Sequence, residues 1–125
     1  DITTRHTNSG LAWRMTPVAA PNTIFDFSLQ VAQIAVNANN LVTIKAWMRK
    51  SHATNIIGKL ICRGSQIAGV PIDVVETMPN VADTWQQVSI SFTPTEKGVV
   101  KIEAIAYSSS GSNNVWIDDL EVTQE

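Results

Sequence analysis

The chain has 125 residues, enough for one domain whose core needs no disulfide or metal staple. Its 44% hydrophobic and 16% charged residues suit a folded protein, and a net charge of -2 gives no electrostatic footprint for nucleic acid. No apolar run reaches the roughly 18 residues of a membrane helix, and a single cysteine excludes an internal disulfide.

The chain opens at Asp1 with no signal-like apolar segment, as expected of a mature form, an excised domain or the ordered part of a longer protein. The first predicted strand is Leu11–Met15, in which Trp13 shares a face with Leu11 and Met15 and is expected in the core. After a turn-rich stretch, Thr23–Val31 alternates Phe25, Phe27, Leu29 and Val31 with Asp26, Ser28 and Gln30. Leu41–Lys50 follows "NANN" and alternates Val42, Ile44, Ala46 and Met48 with Thr43, Lys45, Trp47 and Arg49.

Ile56–Arg63 is apolar on both faces, with Ile57 and Ile61 set against Ile56, Leu60 and Cys62. A strand of that kind needs cover on both sides, which a neighbouring subunit or domain would supply. Cys62 lies within this pattern and reads as a buried small hydrophobe. Pro71–Val75 is a short strand, and Trp85–Pro94 alternates Val88, Ile90 and Phe92 with Gln87, Ser89 and Ser91, with Trp85 and Phe92 at core positions.

Val99–Tyr107 places Val100, Ile102, Ala104 and Ala106 on one face, leaving Val99, Ile105 and Tyr107 on the other. The last strand, Asn114–Val122, has Val115 and Ile117 in one phase and Leu120 and Val122 in the other. That slip at Asp118–Asp119 predicts a β-bulge. Period two throughout, with turns every ten to fifteen residues, predicts an all-β antiparallel sandwich occupying residues 1–125 as one domain.

No motif for catalysis accompanies these strands. His6 and His52 lie in polar loops with no nucleophile beside them, and solvated faces explain Asp26 and Asp73. The chain is not expected to be an enzyme. Sugar recognition would need exposed rings, since pyranose faces stack on aromatic side chains while polar groups take the hydroxyls. Trp47 and Tyr107 fall on the polar sides of their strands and, with Arg49 and Lys45, would line one face if those strands were neighbours. A subunit contact would explain Trp47 equally, and Val99 and Ile105 beside Tyr107 suit an apolar contact surface.

The segment "DTWQQVSISFTPTEKGVVKIEAIAYSSSGSNNVWIDDLEV" (Asp83–Val122) resembles the jelly rolls of carbohydrate-binding-module type, within the galactose-binding-like folds. The likeness lies in a Trp opening a strand, an F-T-P exit, a Gly turn, a polar loop and an aromatic-x-Asp-Asp final strand. "HTNSGLAWRMTP" (His6–Pro17) and "NNLVTIKAWMRKS" (Asn39–Ser51) are similar to the family's earlier strands. The resemblance implies a jelly roll, a fold that serves as a ligand-binding appendage of polysaccharide-degrading enzymes, in bacterial surface proteins and in phage virions.

It also implies a structural calcium at Asp118 or Asp119, completed by oxygens from the early part of the domain, since calcium takes six to eight oxygen ligands. Only Asp1 offers an acidic group there, and the rival reading bonds the aspartates to backbone N–H groups or pairs them with Arg5 or Arg14. The leading functional expectation is a non-catalytic structural or adhesive module of an extracellular or virion assembly, such as a phage capsid decoration or fibre domain. Its partners would be subunits of the same assembly, in a homo-oligomer. The alternative is a carbohydrate-binding module of a secreted polysaccharide-acting enzyme, with a glycan as partner.

Overall fold

The computed structural model describes residues 12–17, 25–63, 73–108 and 113–125, and for residues 25–30 and 73 the backbone alone. Eight strands form it: β1 (Trp13–Met15), β2 (Phe25–Val36), β3 (Val42–Lys50), β4 (Ile56–Arg63), β5 (Asp73–Thr77), β6 (Gln86–Phe92), β7 (Gly98–Ser108) and β8 (Val115–Gln124). They make two four-stranded sheets, ordered β1-β8-β3-β6 and β2-β7-β4-β5, antiparallel throughout. Only the β4–β5 connection stays within a sheet; every other one crosses the sandwich. The fold is the all-β antiparallel sandwich that the alternation demands.

The core is built where alternation says it should be. β3 buries Val42, Ile44, Ala46, Met48 and Lys50 and leaves the residues between them half-buried. Across the sandwich these meet Leu60 and Cys62 of β4 and Val100, Ile102, Ala104 and Ala106 of β7. Burying one such Val, Ile or Leu contributes about 1.5–3 kcal/mol, so the inner faces dominate stability. At Gly58 a Cβ would stand 2.5 Å from Met78 Sδ, so the absent side chain gives Met78 its place in the core.

Each sheet contains one bulge. On β8, Asp118 pairs with Trp47 and Glu121 with Lys45, so three steps on β8 match two on β3. Asp119 takes the extra place in the left-handed region, at φ 49, and its N–H donates to Asp118 Oδ1 at 2.8 Å. The predicted bulge is present where the phase slips. On β2 the register shifts between Gln30 and Ala32, which carries that strand on to Val36 rather than ending it at Val31.

Several expectations need correction. Trp13 is 47% exposed, although it stands opposite core residue Ile117. It lies at the start of a three-residue strand that, among the described residues, has a strand neighbour on one side only. Trp85 precedes β6 and is half-buried, not a core residue. The apolar outward face of β4 does not require another subunit to cover Ile61, which is only 4% exposed within the single chain, though Ile57 remains 41% exposed. Cys62 is buried as a small hydrophobe. The side chains of Phe25, Phe27, Asp26 and Asp73, and residues Asp1, Arg5, His6 and Leu11 altogether, lie outside the described part.

Candidate functional site

Because β-strand side chains alternate, each sheet has an outer face whose composition follows from register. On the β1-β8-β3-β6 sheet, Arg14, Trp116 and Arg49 form one row and Asp118, Trp47 and Gln87 the next. Glu121, Lys45 and Ser89 make a third row. The structure therefore brings Trp47, Arg49 and Lys45 onto one surface.

One of the two indoles in these rows is taken up. The Arg49 guanidinium lies 5.6 Å from the Trp116 ring centroid, a cation–π arrangement, and Nη2 reaches Asp83 Oδ1 at 3.3 Å. Trp116 is 8% exposed. Elsewhere the rows close on themselves, as where Thr43 Oγ1 and Ser91 Oγ share a hydrogen bond of 3.2 Å.

Tyr107 does not join this set. It lies on β7, in the other sheet, so the surface of Trp47, Tyr107, Arg49 and Lys45 expected from sequence is divided between opposite sides of the sandwich. A period of two gives each residue's side of its strand but not which strands are neighbours.

On the β2-β7-β4-β5 sheet, Tyr107 stands opposite Ile57, Ile105 opposite Lys59, Glu103 opposite Ile61 and Lys101 opposite Arg63. Lys59 Nζ lies 5.1 Å from the Tyr107 ring centroid. Arg63 Nε donates to Glu103 Oε2 at 2.8 Å, a charge-assisted bond between half-buried partners. Between the Tyr107–Lys59 and Arg63–Glu103 pairs sit Ile61 and Ile105, 4% and 3% exposed although they point away from the core. The result is a short strip with an apolar floor bordered by a phenol, a carboxylate and two cations.

The bulge on β8 borders a small cavity of about 160 Å³, lined by Trp13, Ile117, Asp118, Asp119 and Leu120. Drug-sized ligands occupy about 300–1,000 Å³. Among the described residues no group of three or more His, Cys, Asp or Glu side chains is placed to hold a metal ion. The early-domain oxygens that the calcium reading calls for, Asp1 included, fall outside the described residues.

One end of the sandwich is tied by polar contacts. Lys50 is fully buried, and its Nζ donates to the Ile56 carbonyl at 3.3 Å and to Asn80 Oδ1 at 3.2 Å. Removal from water lowers its pKa below the ordinary lysine value. His52 has a local role: Nδ1 accepts the N–H groups of Thr54 and Asn55 at 3.1 and 3.0 Å. Thr16 Oγ1 bonds Asn114 Oδ1 across the β1–β8 end.

Sequence reasoning passed over Trp116, Lys59, Arg63 and Glu103. For Trp116 the signal was available, because Val115 and Ile117 on the core side turn the residue between them outward. Arg63 and Glu103 are 40 residues apart and meet only through the β4–β7 register.

Three solved structures share this arrangement of strands. The EclA C-terminal domain, a sugar-binding protein, superposes with a TM-score of 0.59 at 15% identity, covering 92% of this chain and 79% of that one. TmCBM61, solved with beta-1,4-galactotriose, gives 0.56 at 16%, covering 91% and 69%. A family 16 carbohydrate-binding module gives 0.54 at 13%, covering 90% and 75%. The fold is that of the carbohydrate-binding-module jelly rolls. No protein-family model and no curated protein matches the sequence.

Proposed function

We propose that the chain is a non-catalytic glycan-binding module acting outside the cell, and that the outer face of β4 and β7 holds the glycan. The observation that carries this is the strip in which Ile61 and Ile105, almost fully buried on an outward face, lie between Tyr107–Lys59 and Arg63–Glu103. Neighbouring side chains close over these isoleucines and leave Tyr107, Lys59, Arg63 and Glu103, all half-buried, as the oriented groups at the surface, and ligand sites carry a few such groups. A pyranose would lay its C–H face on Tyr107 and direct hydroxyls to Arg63, Glu103 and Lys59.

The likeness in fold to sugar-binding proteins supports this reading, as fold alone can. It favours the carbohydrate-binding alternative over a virion or fibre module. The face carrying Trp47, Arg49 and Lys45 is the competing surface, and its indole Trp116 is already covered by Arg49.

Binding to a panel of immobilised polysaccharides, followed by titration of the best ligand, tests the proposal. Tyr107→Ala and Glu103→Gln are expected to weaken binding at least tenfold with melting temperature nearly preserved, while Trp47→Ala leaves affinity within twofold. Loss of binding in Trp47→Ala alone would move the site to the other sheet. Absence of saturable binding to any glycan would reject the function.

A further inference from the structure

Among the described residues four strands form the sheet margins: β1 and β6 of one sheet, β2 and β5 of the other. An edge strand offers unpaired N–H and C=O groups to any passing strand, and proteins blunt such edges by shortness, charge, proline or a bulge. Three of the four carry such a device. β1 has three residues and contains Arg14, β5 contains Asp73 and Glu76, and β2 contains Asp26 and a register shift.

β6 has none. Its seven residues, "QQVSISF", include no charge and no proline, and its pairing with β3 runs from Phe92 to Gln86 without a shift. Alongside it lies a cavity of about 340 Å³ bordered by Gln87, Val88 and Ser89 on one side and Glu76, Thr77 and Pro79 on the other. The middle of β6 thus borders a cleft whose far wall is formed by Glu76, Thr77 and Pro79.

We infer that β6 is a self-pairing edge, at which a second copy of this chain adds its own β6 antiparallel to join two four-stranded sheets into one. The sequence is suited to that occupant. A two-fold axis at Ser89 pairs Gln86 with the other copy's Phe92, Gln87 with Ser91 and Val88 with Ile90, and Ser89 meets itself; it is the axis that pairs the whole strand. Core-facing residues then meet core-facing residues, and the small polar residues of the outer face meet one another. Symmetry would set any charge within β6 against its own copy, and the strand has none. β5 differs in carrying Asp73 and Glu76, charges that blunt an edge. One strand seam is a small interface, so the dimer builds up with concentration and is reversible.

The test joins sedimentation equilibrium with site-directed cross-linking of the full chain. Ser89→Cys is expected to form a covalent dimer on mild oxidation, because directly opposed residues have Cβ atoms about 4.5–5.5 Å apart. Ser91→Cys and Gln87→Cys should cross-link poorly alone and efficiently when mixed, since each faces the other across the axis. Cys62 is buried and stays out of the reaction. Ser89→Lys, at an exposed position, should weaken self-association at least tenfold while leaving the fold intact, and Gln87→Lys with Ser91→Glu should strengthen it through two crossed ion pairs. A chain that remains monomeric to about 1 mM, or a dimer indifferent to Ser89→Lys, would overturn the inference.

Discussion

The two sheets have the same strand number and the same inner chemistry, yet their outer faces are organised differently. On β1-β8-β3-β6 the outward side chains are exposed or half-buried polar residues and indoles arranged in cross-strand rows, with Arg49 joining Trp116 to Asp83. On β2-β7-β4-β5 the outward side of β4 and β7 holds two isoleucines as buried as core residues, enclosed by an aromatic–cation pair and an ion pair. The lesson is that facing away from the core does not decide burial. The surrounding side chains do, since a residue flanked by longer neighbours loses its contact with water whichever way it faces.

The largest effect that would test this contrast comes from truncating a buried outward residue. Ile105→Ala is expected to destabilise by about 2–4 kcal/mol, close to a core isoleucine, whereas Ile57→Ala on the same face costs about 0.5 kcal/mol. Chemical denaturation reads both, and equal costs would erase the distinction between floor and rim.

A smaller effect is expected at the β8 bulge. Asp119→Val forces a β-branched residue into the left-handed region and should cost about 1–2 kcal/mol, while Asp119→Gly is close to neutral. If valine were tolerated as well as glycine, the bulge would not depend on that backbone conformation.

Lys50 gives a pH dependence to the end of β3. Burial lowers its pKa in the folded state, so from that lowered value up to the ordinary lysine pKa the unfolded chain holds a proton that the folded chain has lost. Stability contributed by this group therefore rises with pH through that window and is flat below it. The stability of the wild type relative to Lys50→Met, read from melting curves, should rise between pH 7 and about 10.5; parallel curves would mean the ammonium is not desolvated. The smallest effect belongs to the exposed Arg49–Asp83 pair. Asp83→Asn should change stability by at most about 0.5 kcal/mol, less at high salt.

The two bulges show how much of this fold could be read in advance. At Asp118–Asp119 the slip is visible, since Val115 and Ile117 precede an uninterrupted charged pair and Leu120 and Val122 follow in the other phase. At Gln30–Ala32 the same event is hidden. Val31, the residue between the two phases, is itself apolar, so "LQVAQIAV" blurs the change from Leu29 to Ala32, Ile34 and Val36, and alternation alone ended the strand too early.

For the candidate site, alternation assigned Trp47, Arg49 and Lys45 to one surface because they share one strand. It could not decide that Tyr107 belongs to the opposite sheet, nor that Arg63 would meet Glu103.

What the sequence determined by itself is therefore one-dimensional: which residues form strands, which side of a strand each occupies, and where an extra residue shifts the phase at Asp118–Asp119. A pleated chain has a strict period of two, and hydrophobic burial reads that period directly. Only the tertiary structure decided which strands are neighbours, that Trp13 lies at an exposed edge, and that Ile61 and Ile105 find cover within the chain. Strand order and register depend on the free energy of the whole sandwich, and no local pattern encodes them.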